Sequence, residues 1–218
     1  CMTMPPSVTA NTGFDALSHA IEAYAATGAN ELSDCMALRA VSLIFAWLLP
    51  AIRDGANLVA REKMHLASAM AGMAFNNAGL GLMHAMAHQL GAQMQIPHGM
   101  ANALVMPYVI AFNSKSAAHR YADLAKMAGI AGQDDQEATR QLVAALQELR
   151  CAANIPMSIS AASERCGTQL MYDPNHLAQR AMLDGCAETN PREFTSDDIV
   201  ALYRAAYQGT DPLLLCSK

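Results

Sequence analysis

The chain has 218 residues, of which 53% are hydrophobic, so it is long and apolar enough to bury the core of one domain. Its formal charge is −5 and its 14 Lys and Arg residues are scattered, which argues against a surface that binds nucleic-acid phosphates. The six cysteines form no C-x-x-C pair, a pattern typical of free thiols in a reducing compartment, and the first residues lack the features of a signal peptide. We therefore expect a cytoplasmic protein.

Helical periodicity dominates the sequence, because Ala, Leu and Met recur at helical spacing and β-branched runs bounded by turn residues are absent. The sequence therefore predicts an all-α fold. The first helix is predicted over residues 12–27, with Thr12 as its N-cap and Asp15 in its first turn, where a carboxylate favours the positive end of the helix dipole. The simplest role for Asp15 is then that of a member of a capping box.

The second predicted helix, residues 33–54, carries an apolar run over residues 40–52. Pro50 should end or kink this helix. The apolar run is shorter than the roughly 20 residues that a membrane span requires, so we expect a buried core helix and no membrane association. A third helix is predicted over residues 57–75.

Glycines interrupt the helical pattern after the third helix, at Gly79 and Gly81. A short helix is predicted over residues 82–90, and a turn at residues 97–99 leads into an apolar helix over residues 100–112. The remaining predicted elements are polar connections at 113–116 and 129–135, helices at 117–127, 136–153, 175–182 and 196–207, and a frayed final segment at 209–218.

Five side chains that bind metals well fall in two short, mostly apolar segments. Asp15 and His19 are four residues apart, as are His84 and His88, and residues at that spacing share one face of a helix. His98 follows shortly after His88. A carboxylate with several imidazoles suits Fe(II), Zn or Ni better than Mg or Ca, so the sequence predicts a divalent metal site. Spacing does not choose among the histidines, and each one alone could be a hydrogen-bonded core residue.

Three segments resemble the iron-containing, or group III, alcohol dehydrogenases: TGFDALSHAIEAY at residues 12–24, NAGLGLMHAMAHQLGAQMQIPHGMANALVMP at 77–107 and CAETNPREFTSDDIVALYRAAY at 186–207. Members of that family have an N-terminal dinucleotide-binding α/β domain followed by a helical metal-binding domain with a dehydroquinate synthase-like fold. The resemblance implies that residues 1–210 form the helical domain, that 211–218 form a tail, and that the dinucleotide-binding domain lies outside this chain.

The resemblance implies a set of four metal ligands, Asp15, His19, His84 and His98. It places His88 near the nicotinamide and the substrate instead, as a catalytic proton-relay residue that also contacts the cofactor. Spacing alone would have paired His84 with His88 as ligands, and the resemblance overrides that pairing. An imidazole is chemically suited to move a proton near neutral pH.

The resemblance also implies that Phe75 and Cys186 line the substrate pocket. Both residues have a plain structural alternative. Phe75 could be an ordinary core residue, and Cys186 could be a small buried hydrophobe.

The implied activity is NAD- or NADP-dependent oxidation of a small alcohol to an aldehyde or ketone, with the substrate oxygen on Fe(II), or on Zn or Ni. We expect the isolated domain to be inactive and, because the family is commonly dimeric, we expect a homo-oligomer. Two alternatives are a zinc-dependent glycerol or polyol dehydrogenase and a hydroxyacid–oxoacid transhydrogenase. Another is a non-catalytic helical module, in which protein ligands would close the coordination shell of a structural metal.

Overall fold

Helices account for nearly all of the regular structure. The computed structural model describes residues 2–167 and 172–216, and within those ranges it contains no β-strand. The α-helices are α1 (Pro6–Ala25), α2 (Glu31–Arg53), α3 (Leu58–Ala78), α4 (Leu82–Met94), α5 (His98–Met127), α6 (Asp135–Ala152), α7 (Ile159–Cys166), α8 (Pro174–Ala181), α9 (Ser196–Gln208) and α10 (Leu213–Cys216), with a 3₁₀ turn at Gly185–Thr189. The predicted all-α fold is confirmed.

Helices α1 and α5 form the centre of the bundle. α1 packs against α2, α3 and α5, while α5 also contacts α4, α6 and α9. The α1 face that is turned into the core carries Phe14, Leu17 and Ile21, each no more than 1% exposed. Full burial of side chains of this size contributes about 1.5–3 kcal/mol each. These contacts fix the position of α1 in the core, and therefore also the positions of the polar residues on its other faces.

Helix α1 begins well before its predicted start. Pro6 occupies the first helical position, where its fixed φ suits the helix and its missing N–H is not needed. Thr12 lies inside the helix, and its hydroxyl donates to the carbonyl of Val8, one turn earlier, at 2.9 Å. The prediction that Thr12 caps the helix and that Asp15 lies in its first turn is therefore wrong, and a capping box is not the role of Asp15.

Helix α5 consists of two helical stretches that meet at a kink at Ala117, so the predicted division into two helices is close to what the structure shows. The segment 113–116, predicted to be a connection, continues the helix, and within α5 only Ala117 has a non-helical backbone, at φ −131° and ψ 26°. Two of the polar side chains that suggested a loop, those of Asn113 and Ser114, are buried and bonded, while Lys115 and Ser116 are exposed. Asn113 and Asn190 exchange two hydrogen bonds of 2.9 Å, and Ser114 donates to a backbone carbonyl of α5 at 2.7 Å. Their polarity serves internal hydrogen bonds rather than contact with water.

Two short helices, α7 and α10, were not predicted. Helix α10 lies within the segment 209–218, which was expected to be frayed, and packs against α5 and α6; residues 217–218 lie outside the described residues. Pro50 does not end α2, which continues to Arg53. These differences leave the order of the long helices as predicted.

By length and composition alone, α2 meets the criteria for a helix that could cross a membrane. The helix has 23 residues and extends beyond the apolar run at 40–52, so its length is sufficient for a span although that of the run alone is not. In the structure α2 packs along α1 and α3, and 39% of its most apolar window is buried. A core helix of a bundle meets the same criteria.

The predicted break at two glycines is confirmed, and it places the start of α4 against α1. Gly79 ends α3 with φ +85°, a conformation that favours glycine. At Gly81, a Cβ atom would lie 2.8 Å from Oε1 of Glu22 and 3.0 Å from Oδ1 of Asn190. A side chain at this position would therefore push the start of α4 away from Glu22.

Gly99, at the start of α5, lies against the backbone of α1, because a Cβ atom there would lie only 1.8 Å from the carbonyl oxygen of Asn11. We expect Gly99→Ala to force the helices apart and to lower the free energy of unfolding by about 1–3 kcal/mol or more. Gly72→Ala is the matched control, since a Cβ at this α3 position meets nothing within 4 Å, and it should be neutral or stabilise by up to about 1 kcal/mol. Urea denaturation measures both variants, and equal stabilities would contradict the close contact.

Candidate metal centre

Helix α1 supplies two of the predicted site residues from one face. Asp15 and His19 lie one turn apart, and Nδ1 of His19 is 3.7 Å from Oδ2 of Asp15. The His19 ring also stacks on the ring of Phe75 in α3, with ring centroids 4.4 Å apart. The packing of α1 on α3 therefore restricts the His19 ring as well as the helix that carries it.

His98 approaches Asp15 from the first turn of α5. Its Nε2 atom lies 3.1 Å from Oδ1 of Asp15. This approach depends on Gly99, because only a residue without a side chain allows α5 to start in contact with the α1 backbone. Asp15 is thus the carboxylate that the histidines of two helices share.

His84 is the most buried member of the cluster, with 1% of its side chain exposed, and it is held by Glu22. Nδ1 of His84 lies 2.5 Å from Oε2 of Glu22. The same carboxylate accepts hydrogen bonds from the backbone N–H groups of Met83, at 2.6 Å, and of His84, at 3.3 Å. Glu22 therefore fixes both the first turn of α4 and the His84 ring. A carboxylate on the far nitrogen of a histidine is a common feature of metal-bound imidazoles.

The four predicted ligand side chains converge on one place. The ligand atoms of Asp15, His19 and His84 all lie within 4.8 Å of one another. The ring centroid of His84 is 4.3 Å from that of His19 and 5.5 Å from that of His98. Three helices, α1, α4 and α5, thus bring a carboxylate and three imidazoles together, while the role of these groups as ligands stays a prediction.

Asn102 links three of these four residues, although sequence analysis did not identify it. Its side chain is fully buried, and Nδ2 donates to Oδ1 of Asp15 at 3.0 Å. The same nitrogen lies 3.3 Å from Nε2 of His84 and 3.2 Å from Nε2 of His98. Oδ1 of Asn102 has no partner among the described residues, so it can accept a hydrogen bond from a further donor. One amide group thereby sets the relative positions of Asp15, His84 and His98.

His88 lies beside the cluster and has a partner of its own. Its Nδ1 atom is 2.8 Å from Oδ2 of Asp184. The His88 ring stacks on His98, with centroids 5.3 Å apart, and meets His84 edge-on at 6.0 Å. The potential ligand atoms of His88 group with those of Asp184 and Cys186, whereas those of His84 group with Asp15 and His19, which favours the separate roles that the resemblance implies. Asp184 is another site residue that sequence analysis did not identify.

Phe75 and Cys186, the two predicted pocket residues, both border the histidines. Phe75 is partly buried and contacts His19, as described above. Cys186 is half-buried, and its backbone N–H donates to Oδ1 of Asp184 at 3.0 Å. Its Sγ atom lies within 4.8 Å of ligand atoms of both His88 and Asp184. Neither residue is remote from the candidate site, and their contact with a substrate stays a prediction.

Electrostatics favours the forms of Asp15 and His19 that bind metals. Burial, together with the neighbouring His84, lowers the pKa of His19 to about 4, so its ring is neutral at pH 7. Burial by itself would raise the pKa of Asp15, but the hydrogen bond from His98 and the adjacent histidines outweigh it and lower that pKa. The hydrogen bond with Asp15 raises the pKa of His98 against the opposing effect of burial. A metal ion would compete with a proton for His98.

Exposure changes sharply across the cluster. The side chains of His84 and Glu22 are 1% and 5% exposed, whereas those of His98 and His88 are 42% and 40% exposed. The cluster is therefore closed by protein on the side of Glu22 and open on the side where His98 and His88 stack.

Replacing Glu22 tests whether its carboxylate positions the His84 ring for metal binding. We expect Glu22→Gln to weaken the binding of a divalent metal by about 10–100-fold, because the amide neither fixes the His84 tautomer nor increases its basicity as a carboxylate does. The exposed Glu148→Gln variant removes the same charge from α6 and should bind as tightly as the parent. Titration of both variants with Zn(II) in a calorimeter gives the two affinities. Unchanged affinity in Glu22→Gln would show that the carboxylate has no influence on the site.

The environment of Cys186 predicts an unreactive thiol. Burial, with the neighbouring Asp184 carboxylate, raises the pKa of Cys186 to about 12. At pH 8 this lowers the thiolate fraction by a factor of roughly 1,000 relative to an ordinary thiol, and the thiolate is the form that reacts. We expect iodoacetamide to modify the exposed Cys35 and Cys151 long before Cys186, as followed by peptide mass spectrometry. Equal rates at the three positions would contradict this environment.

Comparison with known proteins finds relatives over nearly the whole chain. The profile described as "Fe-containing alcohol dehydrogenase family, C-terminal" matches residues 9–207. The NADPH-dependent butanol dehydrogenase of Clostridium saccharobutylicum is 41% identical over 96% of this chain and 53% of its own length. The 1,3-propanediol dehydrogenase of Klebsiella pneumoniae is 41% identical over 93% of this chain and 52% of its own length.

Solved structures show the same likeness. A crystal structure of 1,3-propanediol oxidoreductase superimposes with a TM-score of 0.90 at 39% identity, over 95% of this chain and 53% of the other. An alcohol dehydrogenase from Oenococcus oeni gives 0.88 at 38% identity, over 94% and 53%. The chain thus spans about half the length of the relatives it matches. It belongs to the iron-containing alcohol dehydrogenase family and corresponds to the C-terminal, helical domain of that family.

Proposed function

We propose that this chain is the metal-binding half of an NAD(P)-dependent alcohol dehydrogenase, in which Asp15, His19, His84 and His98 hold a divalent cation. The observation that carries the proposal is the convergence of these four side chains from three helices. One carboxylate with three imidazoles suits Fe(II), Zn or Ni. The lowered pKa values of Asp15 and His19 support the assignment, because the carboxylate is ionised and the imidazole is neutral at pH 7.

The cation, when bound, would supply Lewis-acid chemistry at the oxygen of an alcohol or carbonyl substrate. We assign proton transfer to His88. Asp184 accepts a hydrogen bond from the Nδ1–H group of His88, which leaves the lone pair on Nε2 and makes that nitrogen the base. Burial alone would raise the pKa of Asp184, but the bonds from His88 and the Cys186 N–H outweigh it and lower that pKa, so the partner is an ionised carboxylate.

The position of His88 suits it to pass a proton between the substrate and water. Its ring stacks on His98 at one side, while 40% of its side chain is exposed to solvent. Proton transfer by a well-placed imidazole contributes about 10²–10⁴-fold to a rate. His88 would lie within reach of a hydroxyl group held at the cluster and of the solvent to which the proton must go.

The open side of the cluster supports a catalytic site over a structural clip. A structural metal site is closed by protein ligands, whereas a catalytic site keeps a position for water or substrate. Here His98 and His88 are about two-fifths exposed, and Phe75 and Cys186 stand beside the histidines as wall residues. We assign these two residues to the substrate pocket.

The complete enzyme would need a nucleotide-binding domain in addition to this chain. The relatives are about twice as long as the segment they share with it, and their names specify small aliphatic alcohols, butanol and 1,3-propanediol. We therefore propose a small aliphatic alcohol or its aldehyde as substrate and NAD or NADP as the hydride carrier. We further propose a cytoplasmic homo-oligomer, and an isolated helical chain that is inactive.

Metal analysis of single variants tests the ligand set. We expect His84→Ala and His98→Ala each to abolish tight metal binding, because the ligand segments of α4 and α5 must both contribute a donor to the site. The measurement is metal per chain by mass spectrometry after purification without chelator, which also reports whether the element is iron, zinc or nickel. His119→Ala is the matched control, since His119 is exposed on α5 and should leave the stoichiometry unchanged. A full complement of metal in either of the first two variants would contradict the assignment.

The same measurement separates His88 from the ligands. His88→Ala should retain the metal, and in an enzyme that also carries the nucleotide-binding domain it should lower kcat by about 10²–10⁴-fold. Loss of the metal from this variant would make His88 a ligand and overturn its assignment as the proton-transfer residue.

A further inference from the structure

A cavity of about 200 Å³ lies between α1 and α3, and none of its lining residues belongs to the histidine cluster. Its polar lining residues are Thr9, Thr12, Arg61, His65 and Ser68. The remaining lining residues, Met4, Gly13, Ala16 and Met64, are small or apolar. No acidic side chain is among them, so the polar part of the wall is made of hydroxyl, imidazole and guanidinium groups.

Arg61 forms the inner wall of this cavity and is only 5% exposed. Its guanidinium donates three hydrogen bonds, all to neutral oxygens. Nη1 donates to the hydroxyl of Thr9 at 2.6 Å, Nη2 to the carbonyl of Met4 at 3.0 Å, and Nε to the carbonyl of Gly55 at 3.1 Å. Among the residues that the structure describes, none places a carboxylate within ion-pair distance of Arg61.

A buried guanidinium without a counter-ion is unusual, because arginine stays protonated and charged groups inside proteins are normally paired. The guanidinium carries five N–H donors. The three bonds described above leave one N–H group free on Nη1 and one on Nη2. Two N–H groups on the terminal nitrogens of arginine match the two oxygens of a carboxylate or a phosphate.

The rim of the cavity adds donors of the same kind. Thr12, His65 and Ser68 are exposed and line the cavity from α1 and from the next two turns of α3. None of the three bonds to Arg61, so they are independent of its structural contacts. A ligand that reached Arg61 would pass between these side chains. It could accept hydrogen bonds from the Ser68 hydroxyl and from an N–H group of His65, whereas the Thr12 hydroxyl donates to the carbonyl of Val8.

We propose that this cavity binds one small oxyanion, with a phosphate or carboxylate group against Arg61 and the hydroxyl of Ser68 at its outer side. The site is separate from the candidate metal centre, and its occupant is recognised by negative charge and by two oxygens that face the guanidinium fork. Binding neutralises the buried charge of Arg61.

Calorimetric titration with inorganic phosphate, and separately with acetate, tests the proposal at constant ionic strength set by chloride. Saturable binding of one anion per chain is expected, and the tighter of the two titrants identifies the oxyanion class. Arg61→Gln should abolish binding, and Arg61→Lys should weaken it at least tenfold, because lysine keeps the charge but loses the fork. Arg53→Gln is the matched control, since Arg53 is an exposed cation at the end of α2 that does not line the cavity, and its binding should equal that of the parent.

A rim variant keeps the test decisive if substitution of Arg61 prevents folding, which circular dichroism would report. Ser68→Ala leaves every Arg61 contact in place and should weaken anion binding several-fold. The proposal is overturned if neither anion binds the parent saturably, if Arg61→Gln folds and still binds, or if the rim variant binds as tightly as the parent.

Discussion

The carboxylate of Glu22 is the contact on which the arrangement of the site depends. It accepts hydrogen bonds from the backbone N–H groups of Met83 and His84 in the first turn of α4, and it lies 2.5 Å from Nδ1 of the His84 ring. A single buried anion thereby orients both the helix and the imidazole that the helix carries. Negative charge at a helix N-terminus is favourable, which offsets part of the cost of burying the carboxylate. The glycine at position 81 leaves the space for this contact, and the core packing of α1 fixes its position.

The long helices and the identity of the clustered residues could be predicted from the sequence, for separate physical reasons. Helices such as α3 and α6 bury one face, and that face repeats along the chain at helical spacing. Asp15 and His19 lie at a spacing that a helix brings to one face, and the resemblance to a known family chose His84 and His98, rather than His88, among the other clustered histidines. The start of α1 was missed because a cap was sought at Thr12, whereas Pro6 begins the helix without a side-chain cap.

The residues that organise the site were missed because their partners are distant in sequence. Glu22 and His84 are separated by 62 positions, and His88 and Asp184 by 96. In the sequence, Glu22 resembles any glutamate in an amphipathic helix, and Asn102 resembles any asparagine near a helix start. Asn113 and Ser114 misled in the opposite sense, since a short polar segment indicates a loop unless its polar groups find partners inside the fold, as these do in Asn190 and in a carbonyl of α5. Only the assembled helices distinguish these cases.

The uneven exposure of the cluster determines how an ion could come and go. His84 and Glu22 seal the inner side, so a cation held in the proposed site would enter and leave past His98 and His88. How fast it exchanged would then depend on the freedom of the two imidazoles at this opening. A chelator in solution would meet the ion on this face, and anything that covers the face would slow the exchange.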